Sequence, residues 1–134
     1  MKRLGIHIIL IFLCGTCLAE NYYIDQRGGN DSNSGISKNT AWRSLKNVNA
    51  FEFQGGDSIL FRRGGHWKGI LNLGGSGSKG RRIVLSAYGK GVTPIFDAEG
   101  KKRPSDLMSA TILLYNQEYW EIRDVEVRNF EKGN

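Results

Sequence analysis

The sequence predicts an all-β fold in which short strands turn corners around a common core and a short helix closes the front end. Three observations carry this reading. First, the region after residue 20 is a succession of short β-prone runs separated by clusters of Gly, Asn, Ser and Asp. Second, Trp120 and Ile122 share one parity whereas Val125 and Val127 share the other, and a straight strand cannot change faces midway. A corner at Arg123-Asp124 lets both pairs point inward, which suits a parallel β-helix better than a hairpin sheet; the rival is a β-bulge in a sandwich strand. Third, Phe130-Glu131-Lys132-Gly133-Asn134 adds no closing element. The chain therefore reads as the front piece of a longer solenoid, the alternative being a complete small gene product.

The elements follow in order. Lys2 and Arg3 precede an apolar run from Gly5 to Leu13 broken only by His7, and Cys17-Leu18-Ala19 sets small residues before Glu20. This is the layout of a secretory signal peptide over residues 1–19, with cleavage after Ala19 and a secreted or periplasmic destination. The run is too short for a stable membrane span, which needs about 20 residues. Cys14-Gly15-Thr16 is a poor approach to lipidation at Cys17. Both cysteines lie in the leader, so the mature chain has neither a disulfide framework nor a thiolate metal site. The formal charge of +6 falls to +4 (17 basic against 13 acidic) once Lys2 and Arg3 are removed. That balance is compatible with an acidic polysaccharide, and no motif suggests nucleic acid.

Residues 20–56 hold a strand at Tyr22-Tyr23-Ile24-Asp25, a loop over Gly28-Gly29-Asn30-Asp31-Ser32-Asn33-Ser34-Gly35, and a helix. Thr40 is the expected cap, with Trp42, Leu45, Val48 and Phe51 on one face, and Gln54-Gly55-Gly56-Asp57 ends the segment. Residues 57–134 supply the first rungs. Strands are expected at Ser58–Arg62, Trp67–Leu73, Arg82–Tyr88 and Pro94–Asp97, followed by a polar loop from Glu99 to Asp106, an apolar run from Thr111 to Asn116 and the cornered segment from Tyr119 to Phe130.

Several constellations suggest chemistry, each against a plainer reading. Asp25, Asp31, Asn33 and Gly35 resemble part of a calcium loop but lack its late Glu, and turn chemistry is the better account. Gly75-Ser76-Gly77-Ser78-Lys79-Gly80-Arg81 lacks the Gly-Lys-Ser/Thr ending of a phosphate loop. His66 has no second His or Cys partner outside the leader for zinc. Trp42, Trp67 and Trp120 could stack on sugar rings, yet all three are better placed in the core. Asp97, Glu99 and Asp106 offer the carboxylate types that glycosidases use, with scattered loop acids as the default. Arg62, Arg63, Arg81 and Arg82 are of the type a lyase sets against uronic acids, but nothing positions them for it.

Taken together, the ordered matches resemble one known group. They are Tyr22-Tyr23-Ile24-Asp25, Gly29 to Gly35, Thr40-Ala41-Trp42-Arg43-Ser44-Leu45, Gly56 to Trp67, Ser76 to Gly80, Ala87-Tyr88-Gly89 and Tyr119 to Val127. In order and spacing they are similar to the N-terminal part of exported right-handed parallel β-helix proteins of the pectate-lyase-like superfamily. The resemblance implies a helix from Ala41 to about Phe51 that plugs the open end of the β-helix, and a turn at Gly56-Asp57 into the first rung. It also implies a parent active on polysaccharide as a lyase or glycoside hydrolase, with catalytic residues on later rungs, so these residues by themselves are expected to be inactive. No catalytic, substrate-binding or metal-ligating residue is assigned within the 134; no cofactor is evident, and calcium is left open for the full-length parent. The alternative is a non-catalytic glycan-binding or surface β-helix.

Overall fold

The computed structural model describes residues 18–101 and 110–131. Residues 1–17 of the expected leader, with Cys14 and Cys17, lie outside this range, as do Lys102, Arg103 and Asp106. The strands are β1 (Asn21–Ile24), β2 (Ser58–Arg62), β3 (His66–Lys68), β4 (Leu71–Asn72), β5 (Ile83–Tyr88), β6 (Ile95–Asp97), β7 (Ile112–Leu113), β8 (Trp120–Ile122) and β9 (Glu126–Arg128). Among the described residues they form three parallel sheets, ordered β1-β2-β5-β8, β3-β6-β9 and β4-β7. The fold is all-β and parallel, as expected from the sequence. The chain visits the sheets in the same order on each pass: β2, β3 and β4 make one circuit, β5, β6 and β7 the next, and β8 and β9 open a third.

The register keeps inward side chains above one another. Ile59 pairs with Tyr22 and Leu85, Phe61 with Ile24 and Ala87, and Phe96 with Trp67 and Val127. Parallel strands about 4.8 Å apart bring such columns into van der Waals contact. Phe61, Trp67 and Phe96 form the centre, with Phe61 edge-on to both partners at centroid distances of 4.9 and 4.7 Å. All three are buried.

Corners separate the strands of a circuit. Gly64 and Gly69, at φ 82° and 114°, turn the chain before and after β3. The continuous strand expected over Trp67–Leu73 is therefore two strands in two sheets, because Gly69 takes a backbone conformation that no ladder continues through. The corner expected at Arg123-Asp124 is present, with Asp124 at φ 55° between β8 and β9. Asp is among the few non-glycine residues that tolerate this region.

The helix is shorter and later than the sequence suggests. It is α1 (Leu45–Ala50), capped by Ser44, whose side chain accepts from the Lys46 N–H. Thr40 instead ends a 3-10 turn over Lys38–Thr40. Trp42 lies outside the helix because its backbone is bonded elsewhere: its N–H donates to Tyr23 O at 2.9 Å, and the Asp25 N–H donates to Trp42 O at 2.8 Å. The Asp31 carboxylate fixes where α1 begins. It accepts the N–H groups of Arg43 and Ser44 and the Ser44 hydroxyl, all within 2.9 Å.

The first edge of every sheet is closed. Trp42 and Gly35 satisfy β1, Gly35 O accepting from the Tyr23 N–H at 2.7 Å. On β3 the Gln26 side-chain amide imitates a strand residue, its Oε1 accepting from the His66 N–H at 3.0 Å and its Nε2 donating to His66 O. On β4, Asn49 of α1 does the same, accepting from the Asn72 N–H at 2.9 Å and donating to Ile70 O at 3.0 Å. Unpaired edges recruit other strands, and these groups remove that hazard. Among the described residues no helix is long and apolar enough to cross a membrane.

Candidate functional site

With Ile24, Phe61 and Ala87 directed inward, strand alternation places Tyr23, Arg62 and Tyr88 on the outer face of the first sheet. Asp25, just beyond β1, joins them. An Arg62 Nη donates to the Asp25 carboxylate at 2.7 Å, with the Asp25 side chain 8% exposed and that of Arg62 52%. The Tyr23 and Tyr88 rings meet edge-on at 5.3 Å, and Lys38 Nζ lies 5.7 Å from the Tyr88 ring centre. A cleft of about 310 Å³ opens here, lined by Asp25, Lys38, Asn39, Arg62, Tyr88 and Gly89.

Burial pushes the Asp25 carboxyl up, but the Gly28 N–H, the Arg62 guanidinium and the Arg27 N–H outweigh it and hold the group below its usual range. Asp25 is thus a fixed anion, unsuited to act as a general acid, which needs a raised pKa. Burial raises the Tyr88 phenol, Asp25 adding to the effect and Arg62 opposing it. The phenol therefore stays protonated at neutral pH, able to donate and accept. A half-buried ring beside an amide, a guanidinium and an ammonium is an arrangement that can bind sugar hydroxyls or an anionic glycan group.

A second polar surface covers the outer face of the second sheet. His66, Ile95 and Glu126 share one row, and Lys68, Asp97 and Arg128 the next. Lys68 pairs with Glu99 at 2.8 Å, and Arg128 with Glu126 at 2.6 Å. His66 Nε2 lies 3.9 Å from the Asp97 carboxylate and, among the described residues, has no hydrogen-bond partner. A groove of about 360 Å³ runs beside this face, lined by Gln26, Arg43, Ser44, Leu45, His66, Trp67 and Lys68.

The sequence candidates divide accordingly. Asp97 accepts the Glu99 N–H at 2.8 Å, and Glu99 is tied to Lys68, whose ammonium pKa that contact raises, so both carboxylates have partners within the loop and β3. Asp31 is committed to the start of α1, and Asn33 donates to Ala41 O, which is turn chemistry. In the 75–81 loop, Gly75 lies against the Phe53 backbone, where a Cβ would come within 2.0 Å of Phe53 O; packing accounts for that glycine. Arg82 faces Glu121 at 3.5 Å. Trp42 and Trp67 are core residues, and Trp120 is half-buried against the core. Tyr23 and Tyr88 were missed as candidates. Their signal is parity: each alternates with inward apolar residues on its own strand.

No protein-family model matches the chain. A lacto-N-biosidase of Bifidobacterium longum subsp. longum is 27% identical over 135 residues, spanning 85% of this chain and 8% of that protein. The solved structures of a GH136 lacto-N-biosidase from Eubacterium ramulus, native and selenomethionine-substituted, superpose with a TM-score of 0.71 at 28% identity. They match 82% of this chain and 20% of their own length. The chain thus spans a small part of its relatives, which are glycoside hydrolases acting on carbohydrate.

Proposed function

We propose that the chain is the N-terminal portion of an exported, right-handed parallel β-helix protein that degrades glycans as a glycoside hydrolase, with residues 1–19 as its signal peptide. The superposition on the lacto-N-biosidase structures carries this reading, because it joins the circuit-by-circuit fold to relatives of one activity class and favours hydrolysis over β-elimination. The whole protein's substrate would then be an oligosaccharide bearing lacto-N-biose. Asp25, Glu99 and Glu126 are ion-paired and Asp97 accepts the Glu99 N–H, so on this reading the described circuits contact glycan and others cleave it. The Tyr88 cleft is the contact.

The test is NMR titration of the chain with lacto-N-biose and with an oligosaccharide that bears it. Weak binding that perturbs Tyr88 and Arg62, is lost in Tyr88→Ala, and is accompanied by no sugar release is the expected result. Disaccharide release by these residues alone would overturn the division of labour between circuits, and binding unaffected by Tyr88→Ala would place the contact elsewhere.

A further inference from the structure

The Tyr88 cleft is rich in hydrogen-bond donors and poor in acceptors. Lys38 and Asn39 reach it from the 3-10 turn Lys38–Thr40. That turn is held in place by the fold itself. Ser37 Oγ accepts the Thr40 N–H at 3.1 Å, Thr40 O accepts the Gly35 N–H at 2.8 Å, and Gly35 O ties the loop to β1 through the Tyr23 N–H at 2.7 Å. Arg62 is half exposed, and among the described residues its guanidinium makes one hydrogen bond, to Asp25. Its other N–H groups remain as donors. Asp25 is the one carboxylate of the lining, and it is already satisfied: it accepts from Arg62, from the Arg27 N–H at 2.9 Å and from the Gly28 N–H. With Asp25 balanced by Arg62, Lys38 leaves the lining with one unmatched positive charge. Arg63 lines the adjoining hollow with Asp25 and Arg62, and Lys90 follows Gly89. Among the described residues, Lys38, Arg63 and Lys90 form no ion pair.

A sugar hydroxyl donates as well as accepts, so it is held best where a free carboxylate or carbonyl can take its proton. An oxyanion only accepts, and charged donors bind it more strongly than they bind a neutral oxygen. We infer that the cleft takes the carboxylate or sulfate group of an acidic sugar. Lys38 supplies the unmatched charge, Arg62 and Asn39 donate hydrogen bonds to the oxyanion, and the half-buried Tyr88 ring lies against the pyranose that bears it. Because the turn that carries Lys38 and Asn39 is already fixed, little ordering cost opposes binding. The inference rests on the reading of this cleft as the glycan contact and adds the class of sugar that it selects.

The experiment is NMR titration of the chain with two matched pairs, methyl glucuronide against methyl glucoside and galactose 6-sulfate against galactose, and with inorganic sulfate alone. The acidic member of one pair should bind about tenfold more tightly than its neutral partner and shift Tyr88, Lys38 and Arg62. Which pair responds tells a uronate from a sulfate ester. The preference should shrink as salt is raised, disappear in Lys38→Gln and persist in Lys38→Arg. Lys38 is exposed, and unshifted β2 and β5 resonances in Lys38→Gln would exclude misfolding as the cause. Equal affinity for acidic and neutral sugars, with Tyr88 still responding, overturns the acidic class and leaves the glycan contact standing. No response of Tyr88 to these sugars or to lacto-N-biose overturns both. Inorganic sulfate that binds as tightly as the acidic sugars, or a preference that survives Lys38→Gln, also overturns the proposal.

Discussion

Asp25 ties the N-terminal segment to β2 and Asp31 fixes the start of α1 by the same device, a carboxylate that collects backbone N–H groups together with one side-chain partner. For both, burial raises the pKa and the hydrogen bonds more than reverse it, so the folded value lies below the unfolded one. A depressed carboxyl pKa stabilises the fold above the unfolded value of about 3.9, and the contribution drains as pH falls through the folded value. Thermal melts of the chain should therefore show an acid limb beginning near pH 4. Asp25→Asn and Asp31→Asn should each lower stability at pH 7 by about 1–3 kcal/mol, because donors lose an ionised acceptor, and should flatten that limb. Acid limbs of equal steepness in variants and parent would show that these carboxylates do not couple folding to protons.

Elements show where sequence and structure part. Strands were legible because inward and outward residues alternate in Ser58–Arg62 and because Ile83, Leu85 and Ala87 share one face of β5, and the β8–β9 corner because the parity switch demanded one. The start of the helix was not, since Trp42 falls in the three-residue spacing of Leu45 and Val48 but is buried for another reason. It bridges Ile24 and stacks on Tyr22 at 5.5 Å. Gln26 and Asn49 could not be recognised as edge seals, because each acts on a strand distant in sequence. The Tyr88 cleft was hidden for the same reason, its members coming from four separate stretches. The corner itself can be tested. Asp124 sits at φ 55° and accepts from the Ser86 hydroxyl at 3.1 Å. Asp124→Asn keeps both features and should be nearly neutral by denaturant unfolding. Asp124→Val should cost at least about 1–2 kcal/mol, the left-handed penalty for a residue with a Cβ, and equal stability of the two variants would mean that the corner tolerates any residue.

At the scale of the whole molecule, stability should be graded along the stack axis, since each circuit touches only its neighbours. The centre is sealed on both sides: Phe61 lies between Ile24 and Ala87 and meets Trp67 and Phe96, with none of its surface exposed. Phe61→Ala should cost about 3–5 kcal/mol, the range for an aromatic removed from a packed core. Val127 occupies the same inward column as Trp67 and Phe96 but among the described residues has a strand neighbour on one side only and is 51% exposed. Val127→Ala in this chain should stay within about 0.5 kcal/mol of the parent, as surface substitutions do. Urea unfolding of both variants reads these values. A Val127→Ala cost that approaches that of Phe61→Ala would show that stability is not graded along the stack.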